Sequence, residues 1–150
     1  MKVYTLKSKQ KINKSLKEVF DFFKSPENLS KLTPSKLNFK ILTPTPIEMK
    51  NGQLIDYTIN ILGFRVHWRT MITSYLEPHE FVDQQLIGPY SMWHHKHTFE
   101  DKGDYVEMND EVNYVIPFGV FGRIAHYLYV KKELEGIFLY RTKIINKIFK

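Results

Sequence analysis

Residues 81–116 constrain the fold more than any other part of the chain, because they predict three adjacent strands that turn polar side chains inward. The stretch reads FVDQQLIGPYSMWHHKHTFEDKGDYVEMNDEVNYVI, with tight turns predicted at the Gly-Pro pair 88–89 and the Lys-Gly pair 102–103. In the last strand, apolar side chains alternate with polar ones, which is typical of a strand with one buried face. Asp110 breaks this pattern, since it falls among the apolar positions.

The middle strand carries further polar side chains toward the same interior. Its inward positions are predicted to be Trp93, His95, His97 and Phe99. A two-residue turn at 102–103 predicts which residues face one another across the last two strands: Phe99 and Val106, His97 and Met108, His95 and Asp110, and Trp93 and Val112.

The strand before the first turn adds two more polar side chains to this interior. Asp83 is expected beside His95 or His97. Gln85 is expected beside the next inward residue of the middle strand. Polar groups that face inward are unfavourable unless they pair with each other, with water or with a ligand. The cluster is therefore the first candidate functional site, and its members are Asp83, Gln85, His95, His97 and Asp110.

Length and composition fit one globular domain, residues 1–150. The hydrophobic content of 43% and the charged content of 25% are ordinary for a soluble protein. The aromatic content of 15% is high, and aromatic side chains either line a cavity or pack a sheet core. The chain has no cysteine, which excludes disulfides, thiolate catalysis and cysteine-based zinc sites.

Charge and hydropathy patterning address location and partners. The N-terminal stretch MKVYTLKSKQKIN lacks an apolar signal core and no run is long enough for a membrane span, so we expect a cytoplasmic protein. The net charge of +6 raises the question of nucleic acid or an anionic membrane. The basic residues are scattered and no nucleic-acid motif is present, so no nucleic-acid partner is expected.

The first half of the chain predicts one strand, two short helices and three further strands. Residues 2–12 alternate as a strand, and a helix begins after Ser15, which forms a capping-box pattern with Glu18. A second short helix is predicted at 26–32. The strands that follow are predicted at residues 38–42, 53–62 and 64–75.

A helical period replaces the strand period after residue 120, so residues 120–148 are predicted to form one long helix. Its apolar stripe comprises Phe121, Ile124, Leu128, Leu134, Phe138, Ile145 and Ile148. Arg141 lies within this stripe and has two interpretations. Its stem packs while its head reaches water, or its guanidinium pairs with Asp83, with Asp110 or with an anionic ligand group.

These elements together predict an α+β fold. A curved, seven-stranded antiparallel sheet wraps around the long C-terminal helix, the two short helices between strands 1 and 2 close one end, and a cavity remains between sheet and helix. The order resembles the helix-grip fold of the START and Bet v 1-like (SRPBCC) superfamily, in particular its polyketide cyclase/dehydrase-like bacterial members. The stretches that carry the resemblance are FDFFKSPENLSKLTP, MKNGQLIDY, HWRTMI, FVDQQLIGPYSMWHHKHTF and DEVNYVIPFGVFG.

The resemblance covers nearly the whole chain and implies a pocket for a hydrophobic or amphipathic molecule such as a lipid, sterol, quinone or polyketide. A fold does not fix the chemistry, so two functions stay open. The first is ligand binding, with the polar cluster anchoring a polar group of the ligand. The second is a cyclase- or dehydratase-like enzyme, with His95 and Asp110 as candidate catalytic residues. The predicted ligand-binding residues are Trp68, Asp83, Gln85, Trp93, His95, His97, Asp110, Tyr114, Phe138 and Arg141.

Each of these functional assignments also has a purely structural alternative. The polar cluster also suits a purely structural network that pins the strand register, and Trp68 and Trp93 also suit a sheet core. Two histidines and a carboxylate form a zinc-like set, but such groups more often satisfy each other through hydrogen bonds, so no metal ion or other cofactor is expected. The basic, apolar stretch 141–150 either touches an anionic membrane transiently or simply ends the packed helix.

Overall fold

A computed structural model describes residues 1–150, and its centre is a seven-stranded antiparallel sheet. The strands lie in the order β1-β7-β6-β5-β4-β3-β2. Their bounds are Tyr4–Ile12 (β1), Lys40–Ile41 (β2), Leu54–Ile61 (β3), Phe64–Leu76 (β4), Glu80–Ile87 (β5), Met92–Asp101 (β6) and Val106–Val115 (β7).

The helices complete the predicted α+β arrangement. Their bounds are Leu16–Phe23 (α1), Leu29–Leu32 (α2), Gly119–Ala125 (α3) and Lys131–Ile148 (α4). A π-helical turn at His126–Val130 joins α3 to α4, so the predicted long helix exists with one local widening. The helix-grip architecture predicted from the sequence is thereby confirmed. None of the helices combines the length and the apolar character that a membrane-crossing segment needs.

Helix α1 begins where the sequence predicted it and closes one end of the molecule. The Ser15 hydroxyl accepts a hydrogen bond of 3.3 Å from the backbone N–H of Glu18, which satisfies one of the free donors of the first turn. The apolar face of α1 carries Phe20, which is fully buried and packs edge-on against Phe81 and Phe99, with ring centroids 6.2 and 5.3 Å away. This aromatic group forms the main core under α1.

The predicted second strand, 38–42, is only two residues long in the structure. Asn38 has a φ of 44°, in the left-handed region, where it ends a 3-10 turn formed by Ser35–Leu37. A residue in that conformation cannot extend a strand. The second predicted helix likewise begins as a 3-10 turn, Pro26–Asn28, before it continues as α2.

The register between β6 and β7 differs from the prediction by two residues. The turn between these strands is wider than predicted: Asp101 faces Val106, and the N–H of Lys102 donates to the carbonyl of Tyr105 at 2.8 Å. A shift of two residues leaves every side chain on its predicted face. The inward set therefore stands as predicted, but the facing pairs are Phe99 and Met108, His97 and Asp110, His95 and Val112, and Trp93 and Tyr114.

The apolar stripe predicted along residues 120–148 is buried only in α4, where Leu134, Phe138 and Ile145 pack against the sheet. The remaining members of the stripe are exposed: Phe121, Ile124, Leu128 and Ile148. A π-helical turn holds one residue more than an α-helical turn, so it rotates the apolar face of α3 relative to that of α4 by roughly 100°. A single uninterrupted helical period was therefore the wrong assumption for this region.

The C-terminal stretch packs inward, as the second interpretation of residues 141–150 predicted. Ile145 is fully buried, and the ring of Phe149 lies 5.4 Å from that of Phe22 and 6.4 Å from that of Phe23. The apolar side chains that would have faced a membrane here belong largely to the core.

Replacing Phe20 by alanine is expected to lower the free energy of unfolding by about 3–5 kcal/mol, because the cavity left between α1 and the sheet cannot fully collapse. Urea unfolding followed by circular dichroism measures this change. The matched control is Phe121→Ala, since Phe121 is exposed and its removal is expected to change stability by about 0.5 kcal/mol or less. Equal losses for the two variants would contradict the proposed packing of α1.

Candidate functional site

A cavity of about 490 Å³ lies between the inner face of the sheet and α4. Cavities of about 300–1,000 Å³ are typical of small-molecule sites. Most of the lining side chains are hydrophobic, and α2 and the loop after it contribute one side of the wall. The prediction that sheet and helix leave space between them is therefore confirmed by the geometry.

Aromatic rings form a continuous part of the cavity wall. Trp68 on β4 and Trp93 on β6 meet edge to face with centroids 5.4 Å apart, because both occupy inward positions of their strands. Tyr57 stacks on Trp68 at 5.8 Å, and Tyr90 lies 4.8 Å from Trp93. Phe138 of α4 lines the opposite side. The two tryptophans thus belong to the core and to the cavity at once.

The exposed residues of the cavity wall lie at the end of the sheet where β3 turns into β4, so we place the opening of the cavity there. Leu62 in that turn and Tyr129 in the π-helical turn both line the cavity and are exposed. Lys36, in the 3-10 turn before β2, forms an ion pair of 3.0 Å with Glu133 of α4, and both residues line the cavity as well. These four residues surround the opening.

A buried polar cluster interrupts the apolar wall. His95 Nε2 lies 2.8 Å from Asp110 Oδ1, and His97 Nδ1 lies 2.9 Å from the same oxygen. His97 Nε2 lies 2.7 Å from Asp83 Oδ2, so His97 is held between two carboxylates. Asp83 faces His95 across the strand pair, as predicted. Asp83, His95 and His97 line the cavity, whereas Asp110 lies behind the two imidazoles.

Arg141 closes the cluster from the helix side. Its Nη2 lies 3.8 Å from Asp110 Oδ1, and its guanidinium carbon lies 5.7 and 5.9 Å from the ring centroids of Phe23 and Phe138. The side chain is buried and its Nε has no hydrogen-bond partner. Of the interpretations offered for this residue, pairing with Asp110 fits the distances and a head in open water does not.

The two carboxyl groups have lowered pKa values. Burial raises the pKa of the Asp110 carboxyl, but Arg141 and the two histidines outweigh burial and hold that pKa well below its ordinary value. Burial also raises the pKa of Asp83, and the neighbouring His95 and His97 again outweigh it, so the pKa of Asp83 is lowered. Both carboxyl groups are therefore ionised near neutral pH.

The pKa values of the two histidines shift in opposite directions. Burial lowers the pKa of His95 and the neighbouring His97 lowers it further, so that pKa lies below the ordinary value. Burial lowers the pKa of His97 too, but the hydrogen bonds to Asp110 and Asp83 outweigh burial and raise it. The arrangement favours a neutral His95 beside a cationic His97. With the positive Arg141, the cluster then carries two positive and two negative charges.

Besides Asp110, two predicted site residues, Gln85 and Tyr114, do not line the cavity. The Gln85 amide donates to the carbonyl of Tyr90 at 2.7 Å and its oxygen accepts from the Tyr90 N–H at 3.2 Å, because the turn between β5 and β6 leaves these backbone groups without ladder partners. The Tyr114 hydroxyl lies 2.7 Å from His126 Nε2, behind the Trp93 ring. Both side chains are therefore committed to structural contacts.

Sequence reasoning missed several cavity residues. Tyr57 shares the predicted inward face of β3, so the strand period was a sufficient signal for it. Tyr90 lies in a turn, where no period operates. Nor does any local pattern pair Lys36 with Glu133, because 97 positions separate them in the chain.

Three residues of the cluster have the spacing of metal ligands. One ligand atom each from Asp83, His95 and His97 lies within 4.8 Å of the others, which is a spacing that a metal ion can bridge. His95 Nε2 and His97 Nε2 already form hydrogen bonds with Asp110 and Asp83, whereas His97 Nδ1 lies 2.9 Å from Asp110 Oδ1 without the geometry of a hydrogen bond. A zinc-like shell would have to break these bonds to free the nitrogen lone pairs. That no metal binds here stays a prediction.

Replacing Asp110 by asparagine is expected to lower the free energy of unfolding by about 3–5 kcal/mol at neutral pH, because it leaves a buried Arg141 without its counter-charge. The folded-state pKa of Asp110 is lowered, so its stabilisation is complete above the ordinary carboxyl pKa and is lost as pH falls through the folded value. The variant should therefore lose less stability on acidification than the wild type does. Urea unfolding at a series of pH values measures both effects.

The control for this experiment is Asp56→Asn. Asp56 pairs with His67 at 2.7 Å and Arg69 at 2.9 Å near the surface, where such pairs contribute about 1 kcal/mol or less. If Asp110→Asn is no more destabilising than Asp56→Asn, the central role assigned to the buried carboxylate is wrong.

Comparison with known proteins identifies the fold of this chain but finds no relative by sequence. No family model matches the chain, and no curated protein matches it in sequence. Many solved structures match it over almost its whole length, and three of them show the range of the matches. The Zhui aromatase/cyclase from Streptomyces sp. R1128 is 11% identical with a TM-score of 0.75, and the match covers 96% of this chain and 92% of that chain.

The second structure is TTHA0849 from Thermus thermophilus, which is 11% identical with a TM-score of 0.73 over 98% of this chain and 100% of that chain. The third, a START superfamily protein from Mycobacterium smegmatis, is 12% identical with a TM-score of 0.70 over 96% of this chain and 98% of that chain. Identities this low establish architecture and not activity. The chain therefore has the helix-grip fold of the START and Bet v 1-like superfamily.

Proposed function

We propose that the protein binds a small hydrophobic or amphipathic molecule, of the lipid, quinone or polyketide-like class, in the cavity between the sheet and α4. The observation that carries the proposal is the cavity itself, about 490 Å³ in volume and lined mainly by apolar and aromatic side chains. Burial of apolar ligand surface against such a wall contributes about 2.5 kcal/mol per 100 Å². The cytoplasmic location predicted from the sequence is part of this proposal, and cell fractionation tests it.

The polar cluster narrows the class of ligand. When His97 is protonated, it and Arg141 balance the negative charges of Asp83 and Asp110, so the cluster then has no net charge to offer an ionic head group. The Asp83 side chain is 20% exposed and lines the cavity, where its carboxylate can accept a hydrogen bond. A ligand with a neutral hydroxyl or another neutral polar group near this wall fits the charge balance better than an anion.

The matching structures support the class of function without specifying the ligand. One of them is an aromatase/cyclase and another is a START superfamily protein. Both share the arrangement of sheet and helix that forms the cavity in this chain. The fold thus accommodates binding as well as catalysis, and the cavity residues decide between them.

Filling the cavity should abolish ligand binding. Ile137 lines the cavity, so Ile137→Trp is expected to remove most of the binding of a fatty alcohol, menadione or an aromatic polyphenol, which are the three probes for native mass spectrometry. Leu139→Trp is the matched control, because Leu139 is exposed on the outer side of the same helix. The wild type and the control should bind at least one probe or retain a cellular ligand through purification. No bound species in the wild type, or equal binding by Ile137→Trp, would refute the proposal.

A second candidate function is acid–base catalysis, which one feature of the cluster favours. His95 lines the cavity, its Nε2 is engaged by Asp110, and its Nδ1 lies 3.8 Å from the nearest Asp83 oxygen. With a proton on Nε2, a neutral His95 presents the Nδ1 lone pair as a base, and Asp110 fixes the tautomer. A cyclase- or dehydratase-like enzyme needs such a base to remove a proton next to a carbonyl group.

The activity of a His95→Ala variant distinguishes acid–base catalysis from ligand binding without catalysis. His95→Ala is expected to lower the rate of deuterium exchange at the α-carbon of 2-tetralone by about 100-fold or more, the usual contribution of a general base. The variant also loses a buried hydrogen-bond partner of Asp110, so its melting temperature should fall, and the exchange rate is measured at a temperature where circular dichroism shows both proteins folded. Exchange is followed by NMR, and His67→Ala is the control, since His67 forms a similar pair with Asp56 away from the cavity. A wild type that exchanges no faster than buffer, or an unchanged rate in His95→Ala, would leave binding as the function.

A further inference from the structure

The segment around α3 exposes a group of large apolar side chains that no part of the protein covers. We call these residues the α3 surface: Phe118, Val120, Phe121, Ile124, Tyr127 and Leu128. Phe121 is 79% exposed and Tyr127 is 84% exposed, so neither side chain contributes to the core. Soluble proteins rarely leave a contiguous apolar surface of this kind unless something binds to it.

The α3 surface is held firmly although its side chains face outward. Only two residues of the segment from 118 to 129 are buried, Gly122 and His126. A side chain at Gly122 would overlap the carbonyl oxygen of Pro117. The glycine therefore allows α3 to pack directly against the backbone of the segment that precedes it. The His126 ring stacks on Tyr4 with centroids 3.5 Å apart. These two contacts fix α3 in place and leave its apolar side toward solvent.

The α3 surface adjoins the cavity opening. Tyr129 and Val130 follow it directly in the chain and line the cavity. The turn between β3 and β4 lies at the same end of the sheet, where β3 and β7 end and β4 begins. Leu62 in that turn lines the cavity, and Phe64 follows it; both are exposed. The opening is therefore surrounded by exposed apolar side chains.

The charges around this end of the protein are mainly positive, because the acidic residue at the opening, Glu133, is paired with Lys36. Between residues 112 and 132 the chain has no acidic residue, whereas Arg123, Lys131 and Lys132 are exposed. Between residues 57 and 76 it again has none, and Arg65 is exposed beside Phe64. Exposed aromatic and aliphatic side chains with flanking cations are the features by which a protein binds the interface of an anionic bilayer. A second copy of the chain would bring like charges together and cover the opening.

We propose that the α3 surface inserts into the interfacial region of an anionic lipid bilayer, with the cavity opening turned toward the acyl chains. The evidence for docking is the α3 surface and the cations beside it. Docking would serve to exchange a ligand between the bilayer and the cavity, and this purpose rests on the proposed binding function. This site differs from the C-terminal stretch considered from the sequence, whose apolar residues pack inward.

Vesicle flotation tests the proposal with the full chain. The wild type should float with phosphatidylcholine vesicles that contain phosphatidylglycerol, and much less with phosphatidylcholine alone. The double variant Phe121→Ser, Leu128→Ser should bind the anionic vesicles at least about 100-fold more weakly, since burying each of the two large apolar side chains contributes about tenfold or more. Both residues are exposed, so circular dichroism and the melting temperature should stay unchanged.

The control is the double variant Leu76→Ser, Leu139→Ser, which removes two exposed leucines from the far end of β4 and the outer side of α4. It should float like the wild type. Equal flotation of all three proteins, or no flotation of the wild type, would overturn the proposal. A wild-type dimer that the Phe121/Leu128 variant disrupts, seen by light scattering, would assign the α3 surface to a second copy instead and overturn it too.

Native mass spectrometry of the same variants separates the two proposals. If the Phe121/Leu128 variant no longer floats but still holds the cavity ligand, docking is a property separate from ligand binding. Flotation intact in a wild type that holds no ligand would support docking and refute the proposed binding function.

Discussion

The buried carboxylate of Asp110 is the interaction on which the arrangement of sheet and helix depends. It is 3% exposed and lies within 4 Å of both His95 and His97 on β6 and of Arg141 on α4. An ionised group at this depth is strongly unfavourable unless cationic and hydrogen-bonding partners surround it. Its presence therefore requires β6, β7 and α4 to keep their relative positions, and it determines where the helix crosses the sheet.

The cavity persists beside this cluster because rigid rings support its wall. Trp68 and Trp93 meet edge to face, and Tyr57 and Tyr90 pack against them. Each ring has few rotatable bonds and contacts others on its flanks, so the wall resists collapse into the open space. At the other end of the sheet, α1 fills the corresponding space with Phe20 and its neighbours. One end of the molecule is thus a packed core, and the other is hollow and open.

This asymmetry connects the cavity to the outside of the protein. The end that is hollow is also the end where apolar side chains lie on the surface and where the flanking charges are mainly positive. An apolar ligand has little affinity for water, so direct contact between the opening and a bilayer shortens the polar path that it must cross. The proposed binding in the cavity, the proposed proton transfer at His95 and the proposed contact at α3 rest on different sets of residues, so variants can distinguish them.

The sequence by itself determined the number of strands, the order of strands and helices along the chain, and the faces of the strands. Alternation along a strand is local, so it placed Asp83, His95, His97 and Asp110 inward without any knowledge of register. The tertiary structure alone decided which of them meet. A four-residue turn shifted β6 against β7 by two positions, and the Gln85 amide turned to the backbone of its own turn. The π-helical turn likewise exposed the apolar side of α3. Each of these outcomes depends on distances between segments, which the period of a single segment does not contain.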